Sequence, residues 1–193
     1  VDPSEIYHIP KILYHWRCHE DSTAENPESK TYAFEAGKRA IEAHYERTGI
    51  HAEVYQGEFL GLYRTRFIRD HDPLISIIIP NKDHIDDLKR CMDSIDKKST
   101  YQNYEYIIVE NNSTDDKTFA YYKELEASNP KAHVVYWDRE FNYSAINNYG
   151  ASFAKGEYLL LLNNDTEIIN PDCLEELLGY CMRKDVGAVG ARL

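Results

Sequence analysis

The chain of 193 residues carries no glycine-rich phosphate loop: neither G-x-G-x-x-G nor G-x-x-x-x-G-K-[ST] occurs in it. That absence weighs against dinucleotide-dependent dehydrogenases and P-loop enzymes. Positive charge is also scarce, with 22 Lys and Arg against 33 Asp and Glu and a net charge of −11. Nucleic-acid binding would need a basic face, so no nucleic-acid partner is expected. An anionic small ligand is not excluded, because a divalent cation can offset its repulsion from an acidic protein. The apolar runs are far shorter than a membrane span, and the first residues do not read as a signal peptide. The four cysteines (Cys18, Cys91, Cys173, Cys181) show no C-x-x-C or zinc-like spacing. Cys91 and Cys173 fall in predicted helices, as free buried thiols of a reducing compartment would. Cys173 and Cys181 are two turns apart on one helix, roughly 12 Å at the helical rise, too far for a bridge.

What is present is a core-forming hydrophobic content of 42% and an abrupt end to an apolar run: Leu159-Leu160-Leu161-Leu162 gives way to Asn163-Asn164-Asp165-Thr166. Such a run reads as a buried strand of a parallel sheet, and ligands of open α/β sheets bind outside the strand C-termini. Two further strands end the same way. Leu74–Pro80 is a predicted strand ending in Pro80-Asn81-Lys82-Asp83, and Tyr104–Glu110 is one ending in Glu110-Asn111-Asn112-Ser113. Ala132–Trp137 and Glu157–Leu162 complete four strands, with Val186–Ala191 expected to open a fifth. Between them lie predicted helices. Asp83 caps one that carries Ile85, Leu88, Met92 and Ile95, and Ser113 or Thr114 caps one that carries Phe119, Tyr122 and Leu125. Tyr143–Ala154 is a third helix, and Asn170-Pro171 starts a fourth with Pro at its first position. Repeated strand–helix alternation predicts an α/β fold with a mostly parallel sheet and helices on both faces.

Residues 1–72 break the alternation. Ile6–Trp16 reads as extended and Asp21–Glu28 as a loop, and Asn26-Pro27 caps a helix that runs to Thr48 and stops at Gly49. Ala33, Ala36, Ala40 and Ala43 form a seam of small side chains on that helix, beside a bulkier row of Phe34, Ile41 and Tyr45. Tyr63–Phe67 alternates as a short strand. This part reads as a connector, and 73–193 as the domain.

Parallel strands place their C-terminal ends on one edge, so the three strand-end groups should line one crevice. Glu110 could accept from a base N–H or a ribose hydroxyl, and the Asn and Ser residues could orient a ligand. Asp165, beside two amides, could hold a hard cation and the diphosphate that accompanies it. Taken singly, each of these residues is better explained by a helix cap or an Asx turn. The four N-x-S/T sequons, at Asn111, Asn112, Asn142 and Asn164, fall in these segments and read as turn chemistry.

PLISIIIPNKD, YEYIIVENNSTDD and FNYSAINNYGASFAKGEYLLLLNNDTEI resemble, in order and spacing, the nucleotide-binding half of a family 2 glycosyltransferase over about residues 73–193. The resemblance implies a Rossmann-like GT-A sheet, truncated before the acceptor half. It also implies that the nucleotide is bound by Pro80, Asn81, Asp83, Glu110, Asn111, Asn112, Ser113, Asn148, Asn163, Asn164 and Asp165. Asp165 would be the ligand of a divalent cation, Mn²⁺ or Mg²⁺. Three positions depart from the family pattern: Asn163 and Asn111 stand where acids are usual, and Asn147 stands where Arg is common. IYHIPKILYHWRCHEDSTA resembles the C-terminal end of a preceding family 2 domain, which would make the chain a slice of a tandem enzyme. His15 and His19 are spaced as a metal pair only if helical; in an extended segment they read as surface histidines. His19 as a metal or phosphate contact for the upstream domain is the alternative.

The implied reaction is inverting transfer of a sugar from a nucleotide diphosphate donor to a hydroxyl of a saccharide or lipid-linked acceptor. It would occur at the cytoplasmic face of a membrane, in polysaccharide or glycoconjugate synthesis. The resemblance puts the general base beyond Leu193, so no catalytic residue is assigned and donor binding with little transfer is expected. Two rivals stand beside this reading. One is a non-catalytic nucleotide-binding or interaction module. The other is a nucleotidyltransferase, whose Gly-rich basic loop Pro80-Asn81-Lys82-Asp83-His84 is not.

Overall fold

The computed structural model describes residues 2–15 and 31–191. By its internal contacts the chain divides into two compact units, residues 1–65 and 66–193.

In the second unit the two most apolar segments become the centre of a sheet. Strands β3 (Ile75–Asn81) and β4 (Tyr104–Glu110) pair in parallel from Ile75 opposite Tyr104 to Asn81 opposite Glu110. Every residue of β4 is buried. Strand β5 (Ala132–Tyr136) adds to β4 and β6 (Tyr158–Leu161) adds to β3, both in parallel, giving the order β5-β4-β3-β6. The helices are α2 (Ile85–Lys98), α3 (Asp116–Ser128), α4 (Tyr143–Ala151) and α5 (Cys173–Cys181). Side chains alternate across a strand, so Ile75, Ile77 and Ile79 pack with Leu88, Met92 and Ile95 of α2, Tyr122 of α3 and Leu174 of α5. Ile78, Ile107 and Val109 point the other way, onto Ile146 of α4. Helix α4 lies against both central strands because Gly150 has no side chain. A Cβ there would sit 2.6 Å from Ile78 Cγ2 and 2.7 Å from Val109 Cγ2.

Several predicted details are corrected. Asp83 does not cap α2: the residue before that helix is His84, which makes no side-chain cap bond. Helix α3 is capped by Asp115, whose carboxylate accepts from Lys117 N at 2.9 Å, and not by Ser113 or Thr114. Pro171 precedes α5, which begins at Cys173 after a turn, so Pro does not occupy its first position. No strand forms at Val186–Ala191. As a result β6 pairs on one side only, and Leu159 and Leu161 are about half exposed (49% and 48%), although the leucine run predicts a buried strand.

The first unit is smaller. A short 3₁₀ turn, Pro3–Glu5, precedes residues 6–15, which form no strand. Helix α1 (Thr31–Thr48) is followed by β1 (Ala52–Gln56), which the sequence did not reveal, and β2 (Tyr63–Phe67) pairs with β1. The helix stops as expected. Gly49 adopts φ 67°, Gly49 N donates to Glu46 O, and Ile50 N donates to Tyr45 O, a glycine-terminated end that satisfies the last carbonyls. The alanine seam is not the packed face: Ala33, Ala36 and Ala40 are exposed, while Phe34, Ile41 and Tyr45 are half-buried. Tyr63 donates its hydroxyl to Phe34 O at 2.6 Å, and Tyr45 pairs with Thr65 at 3.2 Å. The predicted loop at Asp21–Glu28, the Asn26-Pro27 cap, Trp16, Cys18 and His19 lie outside the described residues. His15 is exposed and outside any helix.

Candidate functional site

Parallel pairing brings Asn81 beside Glu110 at the C-terminal edge of the central strands, and a buried hydrogen-bond chain follows. Glu110 is 3% exposed, and its carboxylate accepts from Ser113 N at 2.5 Å, Ser113 Oγ at 2.6 Å and the Tyr122 hydroxyl at 2.7 Å. The Tyr122 hydroxyl in turn accepts from Asn81 Nδ2 at 2.8 Å, and Asn81 Oδ1 accepts from Asn164 Nδ2 at 2.7 Å. Burial, more than its neighbours, pushes the Tyr122 hydroxyl pKa well up, so it stays a donor. The chain Glu110–Tyr122–Asn81–Asn164 therefore ties the ends of β4, β3 and β6 together.

A second set of bonds sets the loops. Asp83 carries φ 53°, and its carboxylate accepts from Thr114 N and Asp115 N, each at 3.0 Å. These bonds, the one from Asp115 foremost, hold its carboxyl below the usual range. Asp83 N donates to Ser113 Oγ at 2.7 Å. Asp83 thus braces the approach to α3, the helix after the next strand. Asn111 Nδ2 reaches Trp137 O at 3.1 Å and Arg139 O at 3.0 Å, and Asn112 Nδ2 reaches Arg139 O at 2.9 Å. They fix the loop after β5. Asp83, His84 and Asn112 are the non-glycine residues with positive φ among those described. All three sit at strand ends, and held backbone strain of this kind clusters at functional sites.

The strand ends enclose a cleft of about 260 Å³. Of the residues expected to bind nucleotide, Pro80, Asn81, Asn111, Asn163 and Asn164 line it. Lys82, His84, Phe141, Tyr143 and Ile146 also line it and were not singled out for binding from the sequence. The signal that could have found the last three is the sequence position of the β5–α4 connection, which must end on the same edge. Asp83, Glu110, Asn112 and Ser113 stand behind the lining as braces. Asn148 is on an exposed part of α4, and its neighbour Asn147 is the buried one, bonding Tyr143 O at 2.8 Å.

Asp165 is exposed and outside the lining, with no hydrogen bond or ion pair among the described residues. Cys91 feels its charge: burial first and Asp165 second push that thiol up to about 12. No group of three or more His, Cys, Asp or Glu residues able to hold a metal occurs among the described residues. A Mg²⁺- or Mn²⁺-type ion taken up with a diphosphate needs only one or two carboxylates, the phosphates and water supplying the rest. A single uncommitted carboxylate at the β6 end fits that minimal set. A larger apolar groove of about 730 Å³ runs along β6 and α5, but it follows the open strand edge and not the strand C-termini. Cys91, Cys173 and Cys181 are free, Cys91 buried and the other two half-buried. No described helix is long and apolar enough to cross a membrane.

The model of "Glycosyl transferase family 2" matches residues 76–193, and the chain belongs to that family. The chain is 40% identical over its whole length to an uncharacterized protein, y4gI, of Sinorhizobium fredii, and covers 21% of that protein. It is 40% identical over 98% of its length to the O-antigen biosynthesis protein RfbC of Myxococcus xanthus, covering 15% of it. The chain thus spans about a fifth or less of these relatives. Among solved structures, the mannosyltransferase PcManGT of Pyrobaculum calidifontis, in complex with GDP-Man and Mn²⁺, resembles it with a TM-score of 0.54 at 17% identity. The likeness covers 83% of this chain and 44% of that one, and it shows the shared GT-A fold.

Proposed function

We propose that the cleft at the ends of β3, β4 and β6 binds the nucleotide diphosphate sugar donor of a glycosyltransferase. In this reading residues 73–193 are the donor half of one catalytic domain, and residues 1–72 are the tail of a preceding domain with its linker. The observation that carries the proposal is the convergence of Pro80, Asn81, Asn111, Asn163 and Asn164 from three strands on one cleft. Neutral amides and a proline face can hold a base and a ribose, and Asp83, Glu110, Asn112 and Ser113 keep that edge in register. Asp165 would hold a divalent cation, which when bound would supply positive charge to stabilise the leaving nucleotide diphosphate.

The acceptor hydroxyl must lose its proton to a base within hydrogen-bond reach. Among the described residues no carboxylate lines the cleft, so the acidic base that the family resemblance implies has no counterpart among them. The chain by itself therefore binds donor and transfers sugar poorly. The relative named for O-antigen biosynthesis and, at 34% identity over 110 residues, chondroitin synthase of Pasteurella multocida support a saccharide acceptor used in polysaccharide synthesis. The same acid-free lining favours, as a second reading, a module that binds a nucleotide without chemistry.

Thermal unfolding against a panel of nucleoside diphosphates and GDP-mannose, with Mn²⁺ present, tests the proposal. A ligand at about 100 times its Kd adds roughly 2.7 kcal/mol, a readily visible shift. One base should give it. Equal melting temperatures with every nucleotide would sink the donor-site reading. Sugar transfer by the isolated chain would refute its expected poor activity and the second reading together.

A further inference from the structure

We propose that Lys82 contacts the diphosphate of the bound nucleotide directly, so that nucleoside diphosphate binding here does not require a divalent cation. This rests on the reading of the cleft as a nucleotide-sugar site and concerns how the ligand's charge is met.

The first observation is the lining. None of the described cleft residues is acidic, in a chain with 33 Asp and Glu against 22 Lys and Arg, while Lys82 and His84 both line it. The second is that three acids near Lys82 in sequence or at the same strand-end edge, Asp83, Glu110 and Asp87, have partners of their own. Asp83 accepts from Thr114 N and Asp115 N, and Glu110 from Ser113 and Tyr122. Asp87, on the first turn of α2, lies 3.3 Å from Arg90 and 3.8 Å from His84. The third is Lys82 itself, which is exposed and makes no hydrogen bond or ion pair among the described residues. An ammonium without a counter-ion at the mouth of a cleft focuses positive potential there. The fourth is the donor set for a metal. Asp165 stays outside the lining, and the strand-end residues inside it, Asn163 and Asn164, are neutral. A hard cation is drawn to carboxylate oxygens, whereas diphosphate oxygens are drawn to an N–H-bearing cation. The cleft offers the second partner. A cation on Asp165 then adds to binding without being its condition.

The test is isothermal titration of the chain with UDP, GDP, CDP, ADP and dTDP, each in EDTA and in Mn²⁺, repeated with Lys82→Ala and Lys82→Arg. One nucleotide is expected to bind in EDTA within about threefold of its Kd in Mn²⁺. Lys82→Ala should weaken that binding roughly tenfold or more, and Lys82→Arg should restore most of it. The matching nucleoside, lacking phosphates, should bind both forms equally. Because Lys82 is exposed, the variants should melt with the parent, which separates lost binding from lost folding. Binding that appears only with Mn²⁺, or that Lys82→Ala leaves unchanged in EDTA, overturns the role of Lys82 and leaves the nucleotide site standing. Absence of binding by every nucleotide in both buffers overturns the donor-site reading and this proposal with it.

Discussion

Glu110 and Asp165 are both carboxylates at or beyond the C-terminal ends of the two parallel strands that flank β3, and the sequence presents them alike, each beside Asn residues. In the folded chain they are opposites. Glu110 is 3% exposed and holds three donors, whereas Asp165 is exposed with no bonded partner among the described residues. A carboxylate with its oxygens spent organises a site, and one with its oxygens free can bind something from outside. Glu110 at the end of β4 is wired, and Asp165 beyond the end of β6 is open.

Breaking the wired side should cost the most. Glu110→Ala strands the Ser113 N–H, the Ser113 hydroxyl and the Tyr122 hydroxyl without an acceptor, and should destabilise by about 3 kcal/mol. Thermal denaturation should then drop by roughly 6–12 °C for a chain of this size. Gly150→Ala comes next, since its Cβ would sit 2.6 Å from Ile78 and 2.7 Å from Val109. Forcing α4 off the sheet should cost about 1–3 kcal/mol in denaturant unfolding. Tyr122→Phe removes the hydroxyl that joins Asn81 to Glu110, and should cost about 1–2 kcal/mol by the same measurement. Equal stability of all three with the parent would erase the distinction between the two strand ends.

Asp83 gives the pH signature of the wired side. Its folded pKa is depressed, so the stability it contributes is fully present above its unfolded value and is lost as pH falls through the folded one. A melting profile taken from neutral pH into acid should therefore fall less steeply in Asp83→Asn than in the parent; parallel profiles would contradict the bracing role. The smallest effect on stability belongs to the open side. Asp165→Ala should change stability by no more than about 0.5 kcal/mol, yet remove the extra nucleotide affinity that Mn²⁺ confers. A large loss of stability in that variant would show that Asp165 has internal work after all.

The sheet was legible because β-branched runs bounded by turn residues leave little choice. Tyr104–Glu110 is a strand with the predicted bounds, and the parallel order follows from helices that intervene between strands. The strand-end edge was legible for the same reason. What the sequence hid is which side chains point into the cleft. Lys82, Phe141 and Tyr143 entered it because loop direction, not residue type, decides exposure at a strand end. The left-handed turn at Asp83 and His84 turns the Asp83 carboxylate toward Thr114 and Asp115 and leaves His84 before α2, a reversal that no local pattern announces for non-glycine residues. Strand β1 was missed because Ala52–Gln56 buries only Val54 and so lacks an apolar alternation to read. The exposed alanine seam of α1 fails in the opposite sense: spacing identified a stripe, but larger side chains beside it offered more contact area and took the packing.

The nucleotide is proposed to bind in the cleft at the ends of β3, β4 and β6, whose described lining carries no acid. Backbone amide NMR of the 22.5 kDa chain titrated with the nucleoside diphosphates tests it most directly. For one base, shifts should concentrate at Asn81, Lys82, Asn111, Phe141 and Asn164. Shifts confined to Leu159, Leu161 and the groove along β6, or no shift with any nucleotide, would contradict it.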